Sequence, residues 1–373
     1  MNRLLASGHS QWMRMWWSID WVIVTLTFAI IALGLVNLNS AGTGDWTGLV
    51  RNQVNFVIIG SIAFVCASLI DYRVYYRIAY VLYGGGVLFV VMVRLVGTEI
   101  NHAKRWLSLG PLTFQPSELM KLALVCGLAR YLHDMHNTGQ KGFRYLLVPG
   151  AMAILPALLI VKQPDLSTGI VLLLIGFMLV AAAELSRKTV LVVLASAFGL
   201  VIATYQYVLE GYQRQRIDVW RAPDLYPDTG GYQILQARTA VGNGGFWGQG
   251  VQLGTQNRLN FVPYKDSDFA FAVFAEEWGF VGTSLLLLLY LGLFLWAINI
   301  ASNANERFGS LLCTGLGTLF FLHTVLNTGI VLEFLPNTGL PLPFVSYGGT
   351  NVVTMLTSLG MLMSISRARK WRF

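Results

Sequence analysis

The chain has 373 residues, 55% of them hydrophobic and 12% charged, with a mean hydropathy of +0.59 and a formal charge of +8. Soluble domains carry roughly 25% charged residues, so this composition excludes a water-soluble enzyme, a disordered chain and a nucleic-acid-binding module. The excess of Lys and Arg sits at the ends of apolar segments, where it orients a membrane protein.

Ten long apolar runs follow one another, near residues 20–38, 53–70, 78–97, 116–132, 145–161, 168–184, 189–209, 268–299, 309–332 and 350–366. Each is close to the ~20 residues, at 1.5 Å per residue, that cross a hydrocarbon core. The runs are continuous rather than alternating, which argues for helices over a barrel. The expected architecture is an all-α integral membrane protein of about ten transmembrane helices, forming one polytopic domain over residues 1–373. No small-x-small cleavage site follows the first run, so it is expected to remain as a span. An even number of spans puts both termini on one side. Short connections on that side hold 13 Lys and Arg: Arg3, Arg14, Arg73, Arg77, Lys141, Arg144, Arg187, Lys188, Arg307, Arg367, Arg369, Lys370 and Arg372. Those on the other side hold four: Arg51, Lys104, Arg105 and Lys162. The asymmetry predicts cytoplasmic termini. Cys66, Cys126 and Cys313 all lie in apolar runs, which offers neither a disulfide framework nor a CxxC site.

One connection differs from the rest. Residues 210–267, between the seventh and eighth spans, form an outer-face loop of 58 residues. It is rich in Tyr, Trp, Ile and Leu and is expected to pack, with short amphipathic segments on the membrane surface, for instance 230–240.

Ionisable residues at spans are functional candidates because placing them there is costly. Glu118 and Lys121 open the fourth span three residues apart, on one helix face; they read either as a structural ion pair or as substrate contacts. Asp268 opens the eighth span, either as a helix N-cap or as a general base whose proton affinity is raised at an apolar boundary. Glu276 and Glu277 lie eight and nine residues further in, about 80° and 180° around the helix from Asp268. They are not expected to share one site, and at least one reads as a helix–helix hydrogen-bonding group. The five histidines, His9, His102, His133, His136 and His323, show no zinc spacing. The run Gly242–Gly250 lacks the Lys-Ser/Thr of a phosphate-binding P-loop; it reads as a turn, with phosphate wrapping as the alternative. On the outer side Lys104, Arg105, Arg214, Arg216, Arg258 and Lys265 form a cationic set. It suits an anionic substrate, or balances the acids of the long loop.

Taken together, these strings resemble the SEDS family of bacterial proteins (shape, elongation, division and sporulation). The resemblance is carried by Arg105-Trp106-Leu107, Phe114-Gln115-Pro116-Ser117-Glu118, Gln163-Pro164-Asp165-Leu166 and Tyr212-Gln213-Arg214-Gln215-Arg216. It continues through Gly242–Gly250, Ser267-Asp268-Phe269, Ala275-Glu276-Glu277 and Pro341-Leu342-Pro343-Phe344-Val345-Ser346-Tyr347-Gly348-Gly349. These occur in the family's order over nearly the whole chain, and Gly339-Leu340-Pro341-Leu342-Pro343 points to the elongation branch. The resemblance implies a peptidoglycan glycosyltransferase of the bacterial inner membrane, with its site on the periplasmic face. It would polymerise lipid II into nascent glycan and release undecaprenyl pyrophosphate. Asp268 would be the essential acid, Glu118 and Lys121 a supporting pair, and Lys104, Arg105, Arg214 and Arg216 the pyrophosphate-binding cations. Asp165, Glu276, Glu277, Ser346 and Tyr347 would be further polar residues of the site or its scaffold. A divalent cation, Mg or Mn, would sit at Asp268, and a class B penicillin-binding protein would be the crosslinking partner. The sequence departs from the family in Tyr264, Asp266 and Gln249, where the pattern more often has Glu, His and Lys. Asp266 gives Asp268 an acidic neighbour, which should raise its proton affinity. Two rival readings use the same residues: a lipid II flippase, or a non-catalytic activator of the crosslinking enzyme.

Overall fold

The computed structural model describes residues 19–42, 48–100, 103–109, 112–137, 144–183, 211–228 and 230–370. In chain order it contains α1 (Trp21–Ala41), α2 (Gly48–Leu69), α3 (Tyr72–Val96), then strands β1 (Thr98–Ile100), β2 (Ala103–Leu109) and β3 (Leu112–Phe114). Helices α4 (Pro116–Asn137), α5 (Arg144–Val161) and α6 (Leu166–Ala182) follow. The long loop contributes α7 (Gly211–Arg221), a 3₁₀ turn at Pro223–Leu225, α8 (Gly230–Gly244) and the single turn α9 (Thr255–Arg258). The chain ends on α10 (Ala270–Ser302), α11 (Arg307–Val331) and α12 (Gly349–Lys370).

Nine of the ten apolar runs thus become helices, and five of these, α1, α2, α3, α10 and α11, are both long and apolar enough to cross a membrane. The run at 189–209 lies outside the described residues, as do Arg3, Arg14, Lys141, Arg187, Lys188 and Arg372. The chain leaves α6 where Arg307 donates to the Ala183 carbonyl at 2.9 Å. It re-enters at α7, at the opposite end of the bundle, where Arg216 reaches the Asn337 carbonyl at 3.3 Å. Asp20, just before α1, accepts from Trp296 of α10 (3.0 Å) and Ser366 of α12 (2.6 Å). The first and last helices therefore meet at the same end of the bundle, as an even number of crossings requires.

Local chemistry starts the helices. Asp71 caps α3 by accepting from the Arg73 N–H at 2.9 Å, and Asp165 caps α6 by accepting from the Thr168 N–H at 3.2 Å. Pro116 occupies the first position of α4, where its missing N–H costs nothing. The centre of the bundle is α4, α11 and α12, whose side chains are largely buried, while α1, α2 and α3 present apolar faces outward, with Phe28 73% and Val81 74% exposed. Between lipid-facing helices there is no hydrophobic drive to associate, so close backbone approach matters more. At the α2–α12 contact a Cβ on Gly360 would lie 2.3 Å from the Phe64 carbonyl oxygen, and one on Gly60 would lie 2.6 Å from the Leu356 side chain.

Two features depart from the sequence reading. The connection between α3 and α4 is an antiparallel three-stranded sheet in the order β1-β2-β3, a local exception to the helices that make up the other described elements. Helix α10 is broken at Gly279, whose φ of 63° and ψ of −164° belong to no helix. The break frees two carbonyls on one side and two N–H groups on the other, and the glycine-rich run fills all four. Gln249 and Gly250 donate to the Glu276 and Glu277 carbonyls at 3.0 Å each, and Phe280 and Val281 donate to the Gly245 and Phe246 carbonyls at 2.9 and 3.2 Å. The run is therefore neither a free turn nor a phosphate cradle. Helix α8, expected on the membrane surface, buries Gly231, Ile234, Ala237, Ala240 and Gly244. It lies against α10, where a Cβ on Gly244 would come within 2.1 Å of the Ala275 carbonyl oxygen.

Candidate active site

Asp268 lies in the turn that leads into α10. It is not the helix cap: that position is Phe269, and no side chain caps the helix there. The turn is held from several distant segments. Asn327 of α11 donates to the Asp268 carbonyl (3.0 Å) and to the Leu340 carbonyl (2.7 Å). Ser346 donates to the Ser267 carbonyl at 2.5 Å while accepting from the Leu342 N–H at 2.9 Å. The Tyr347 N–H donates to the Asp266 carbonyl at 2.7 Å. Gln53 of α2 supports the same stretch, donating to the Ser346 carbonyl at 3.1 Å and accepting from the Gly348 N–H at 3.3 Å. The Pro341–Gly349 string is thus the cradle of the Asp268 turn. Ser346 and Tyr347 act in it through hydrogen bonds to backbone carbonyls.

Opposite the Asp268 carboxylate sits Gly339, with φ of 73°. A Cβ there would stand 3.4 Å from Asp268 Oδ2. Helix α7 fixes the approach to this glycine: Trp220 donates to the Glu333 carbonyl at 2.8 Å and Arg216 to the Asn337 carbonyl. Burial pushes the Asp268 carboxyl up to about 6. The Arg216 guanidinium opposes that rise, Asp266 adds to it, and Arg105 opposes it. The carboxyl's proton affinity is thereby raised toward neutrality, while the residue itself stays partly exposed.

Arg105, on β2, is half-buried. It donates through Nε to the Gln163 carbonyl at 3.0 Å and through Nη2 to the Pro164 carbonyl. Asp165, next in that string, accepts from Gln115 at 3.1 Å as well as capping α6. Its role is to join the α4 and α6 entrances beside Arg105. Lys104 is exposed and, by the alternation of a strand, turns to the side opposite Arg105. Arg214 and Arg216 are both exposed on α7, two residues and about 200° apart. The two do not face the same point, and Arg216 is the one whose charge bears on Asp268.

Glu118 and Lys121 do form a pair, at 2.7 Å and shut off from solvent, with the Lys121 side chain 0% exposed. Asn351 of α12 donates to the second Glu118 oxygen at 3.0 Å, and Lys121 also meets His323 Nε2 of α11 at 2.9 Å. The pair is a buried structural node rather than a surface that substrate touches. Glu276 and Glu277 converge where they were not expected to. Glu276 accepts from the N–H groups of Gln256 (2.9 Å) and Asn257 (3.1 Å), so it caps α9. Glu277 accepts from Asn257 Nδ2 at 3.0 Å and from Ser40 of α1. One carboxylate takes the Asn257 backbone and the other its side chain, which is how two neighbours on a helix reach the same residue. Lys265 closes this cluster, donating to the Asn257 carbonyl (2.8 Å) and Oδ1 (2.9 Å), and burial lowers its ammonium from the usual range. Asn257, Asn327, Asn351, His323 and Gln53 carry this scaffold and had no motif to mark them. A polar side chain inside an apolar run is itself the signal for the last four.

Among the described residues no three His, Cys, Asp or Glu side chains come together as a metal cage. Around Asp268 the neighbours are one further carboxylate, Asp266, and two guanidiniums. An Mg²⁺-like ion takes one or two carboxylates from a protein and completes its shell with substrate phosphates and water; Asp268 and Asp266 are the carboxylates that would hold one.

The sequence matches the cell cycle protein family of FtsW, RodA and SpoVE over residues 14–371. It is 35% identical over 355 residues to the peptidoglycan glycosyltransferase MrdB of Escherichia coli K12, with 94% of each chain aligned. It is 32% identical over 367 residues to the stage V sporulation protein E of Bacillus subtilis, covering 94% of this chain and 98% of that one. Of solved structures, the rod shape determining protein RodA of Thermus thermophilus is similar with a TM-score of 0.72 and 30% identity, over 94% of this chain and 97% of that one. A chain of a peptidoglycan synthase complex, described as coordinating polymerization and crosslinking, is similar with a TM-score of 0.80 and 32% identity, over 94% and 98%.

Proposed function

The chain belongs to the FtsW, RodA and SpoVE family of cell cycle proteins, and from that premise we propose that it is a peptidoglycan glycosyltransferase that polymerises lipid II with Asp268 as its general base. The observation that carries the reading is the Asp268 carboxyl, raised to about 6 and acted on by Arg216 and Arg105, at the end of the bundle opposite Asp20 and Ser366. A base works best with a proton affinity near the operating pH.

In this reading the 4-hydroxyl of the acceptor sugar attacks the anomeric carbon of the donor. The new C–O bond forms as the bond to pyrophosphate breaks. The hydroxyl proton passes to Asp268, and undecaprenyl pyrophosphate leaves with the bonding electrons. An α-linked pyrophosphate that yields a β-linked glycan is inverted once, so one carboxylate suffices and no glycosyl-enzyme forms. Arg105 and Arg216 hold the departing charge; guanidiniums suit phosphate oxygens because their donors form a planar fork. Lys104 and Arg214 face away from that point and add to the positive charge of the surrounding surface. A divalent cation held by Asp268 and Asp266 would supply further neutralisation of the pyrophosphate. The bias of Lys and Arg supports an inner-membrane orientation with cytoplasmic termini and a periplasmic site. Similarity to a chain of a synthase complex supports a class B penicillin-binding protein as the crosslinking partner.

The test is glycan-chain formation from purified lipid II, resolved on gels, for wild type and Asp268→Asn, with and without EDTA. Wild type should give long chains, the variant a rate lower by at least about 10²-fold, and EDTA a loss that added Mg²⁺ or Mn²⁺ reverses. Chains of equal length and rate from the variant would remove Asp268 from the chemistry. No chains from wild type with metal and partner present would remove the polymerase reading and leave the flippase or activator.

A further inference from the structure

The buried Glu118–Lys121 pair has no direct contact with the Asp268 turn, yet two side chains of α11 connect them. His323 is fully buried and touches both sides: its Nε2 lies 2.9 Å from Lys121 Nζ and its Nδ1 lies 3.3 Å from the Pro341 carbonyl oxygen. The two partners fix the tautomer. An ammonium only donates and a carbonyl only accepts, so Nδ1 carries the proton and Nε2 is the acceptor. A neutral imidazole is the one form that serves both. Four residues on, and so on the same helix face, Asn327 donates to the carbonyls of Leu340 and Asp268. Leu340 and Pro341 are adjacent. The two side chains of α11 therefore grip consecutive carbonyls of the cradle, and one of them also grips the residue that bears the base.

We infer that His323 is a positioning residue for the reaction: it couples the Glu118–Lys121 pair to the Leu340–Pro341 backbone, and so sets where the Asp268 turn sits. The inference rests on the polymerase reading above. It gives the ion pair a task beyond mutual neutralisation, because Asn351 on Glu118 and His323 on Lys121 tie it to α12 on one side and to the cradle on the other. Neither side chain touches substrate in this arrangement. Their effect is on the placement of the base, which is felt in turnover and not in substrate capture, since misplacement by an ångström or less is costly to a reacting geometry.

Two substitutions separate this role from packing. His323→Phe keeps the ring and removes both polar atoms. His323→Gln removes the ring and keeps one acceptor and one donor on a single side chain. With purified protein and lipid II, H323F should lower the polymerisation rate at saturating substrate at least tenfold while the half-saturating concentration stays within twofold. H323Q should stay within threefold of wild type in both. If H323F is not monodisperse, H323N takes its place: asparagine puts its amide where Nδ1 stands, donating to Pro341, and its acceptor oxygen, one bond shorter than that of glutamine, does not reach Lys121, with the same loss expected. A wild-type rate in the folded apolar or Asn variant overturns the inference. So does a change confined to half-saturation, or a loss in H323Q as large as in H323F, which would mark the ring as mere filling. Each of these requires wild type to polymerise; inactive wild type refutes the polymerase reading instead.

Discussion

Replacing Lys121 with Met removes the charge from the most enclosed ion pair among the described residues while keeping the length of the side chain. The ammonium is 0% exposed, 2.7 Å from Glu118, so no water stands ready to take its place. Glu118 would retain Asn351 as its hydrogen-bond donor and would lose the ammonium that compensates it. Removing one member of a buried pair costs about 3–5 kcal/mol, because the survivor stays desolvated and uncompensated. At the low end of the usual conversion, ~2 °C per kcal/mol, this is a fall in Tm of about 6–10 °C. The double variant Glu118→Gln, Lys121→Met leaves no net charge behind and should recover at least half of that fall. Thermal unfolding in detergent with a thiol-reactive dye reads it directly, since Cys126 and Cys313 are buried and become reactive on unfolding, over a constant signal from exposed Cys66. A single variant within 2 °C of wild type would refute the reasoning. So would a double variant no more stable than the single one.

The pH–rate profile of polymerisation should rise through about pH 6, where the buried Asp268 carboxyl loses its proton. Arg216→Gln removes the leading opponent of that elevated value, so the acid limb should move to higher pH; a limb that stays or moves down would contradict the electrostatics. Gly248→Ala should be far more damaging than Gly245→Ala, although both glycines have positive φ. At Gly248 the added Cβ meets the Glu277 carbonyl oxygen at 2.2 Å, whereas at Gly245 it meets open space. Backbone strain alone costs about 1–2 kcal/mol and forced overpacking about 1–3 kcal/mol more, so thermal scans should separate the two variants by several degrees, and equal Tm values would show that the latch is not tight.

The spans were legible because each run of about 20 apolar residues has one physical solution in lipid. Asp268 was legible as a carboxylate at the mouth of a span, and Glu118 with Lys121 as opposite charges one helical turn apart. What was hidden is what holds them. Lys121 meets His323 across 202 residues of sequence, and Glu118 meets Asn351 across 233; no periodicity reports contacts of that kind. The histidines, scattered as ligands, included one whose value lay in being alone in an apolar run. Glu276 and Glu277 were separated by helix geometry, which is right for a straight helix looking at one distant site. It fails where a folded-back loop brings Asn257 against both. The glycine-rich run carried too many meanings by composition alone, and only the break at Gly279 says which one applies.

That break has a consequence for how mutations report on the molecule. The long loop before α10 is joined to that helix by main-chain hydrogen bonds on both sides of Gly279. A mechanical load on α8 or its following turn would pass into α10 through peptide groups, like a hinge pinned through its leaves. Truncating side chains leaves such a joint untouched. An alanine scan of the non-glycine positions between 242 and 250 would describe this joint as tolerant, while proline at Gln249, which deletes one donor, would uncouple the loop from the helix.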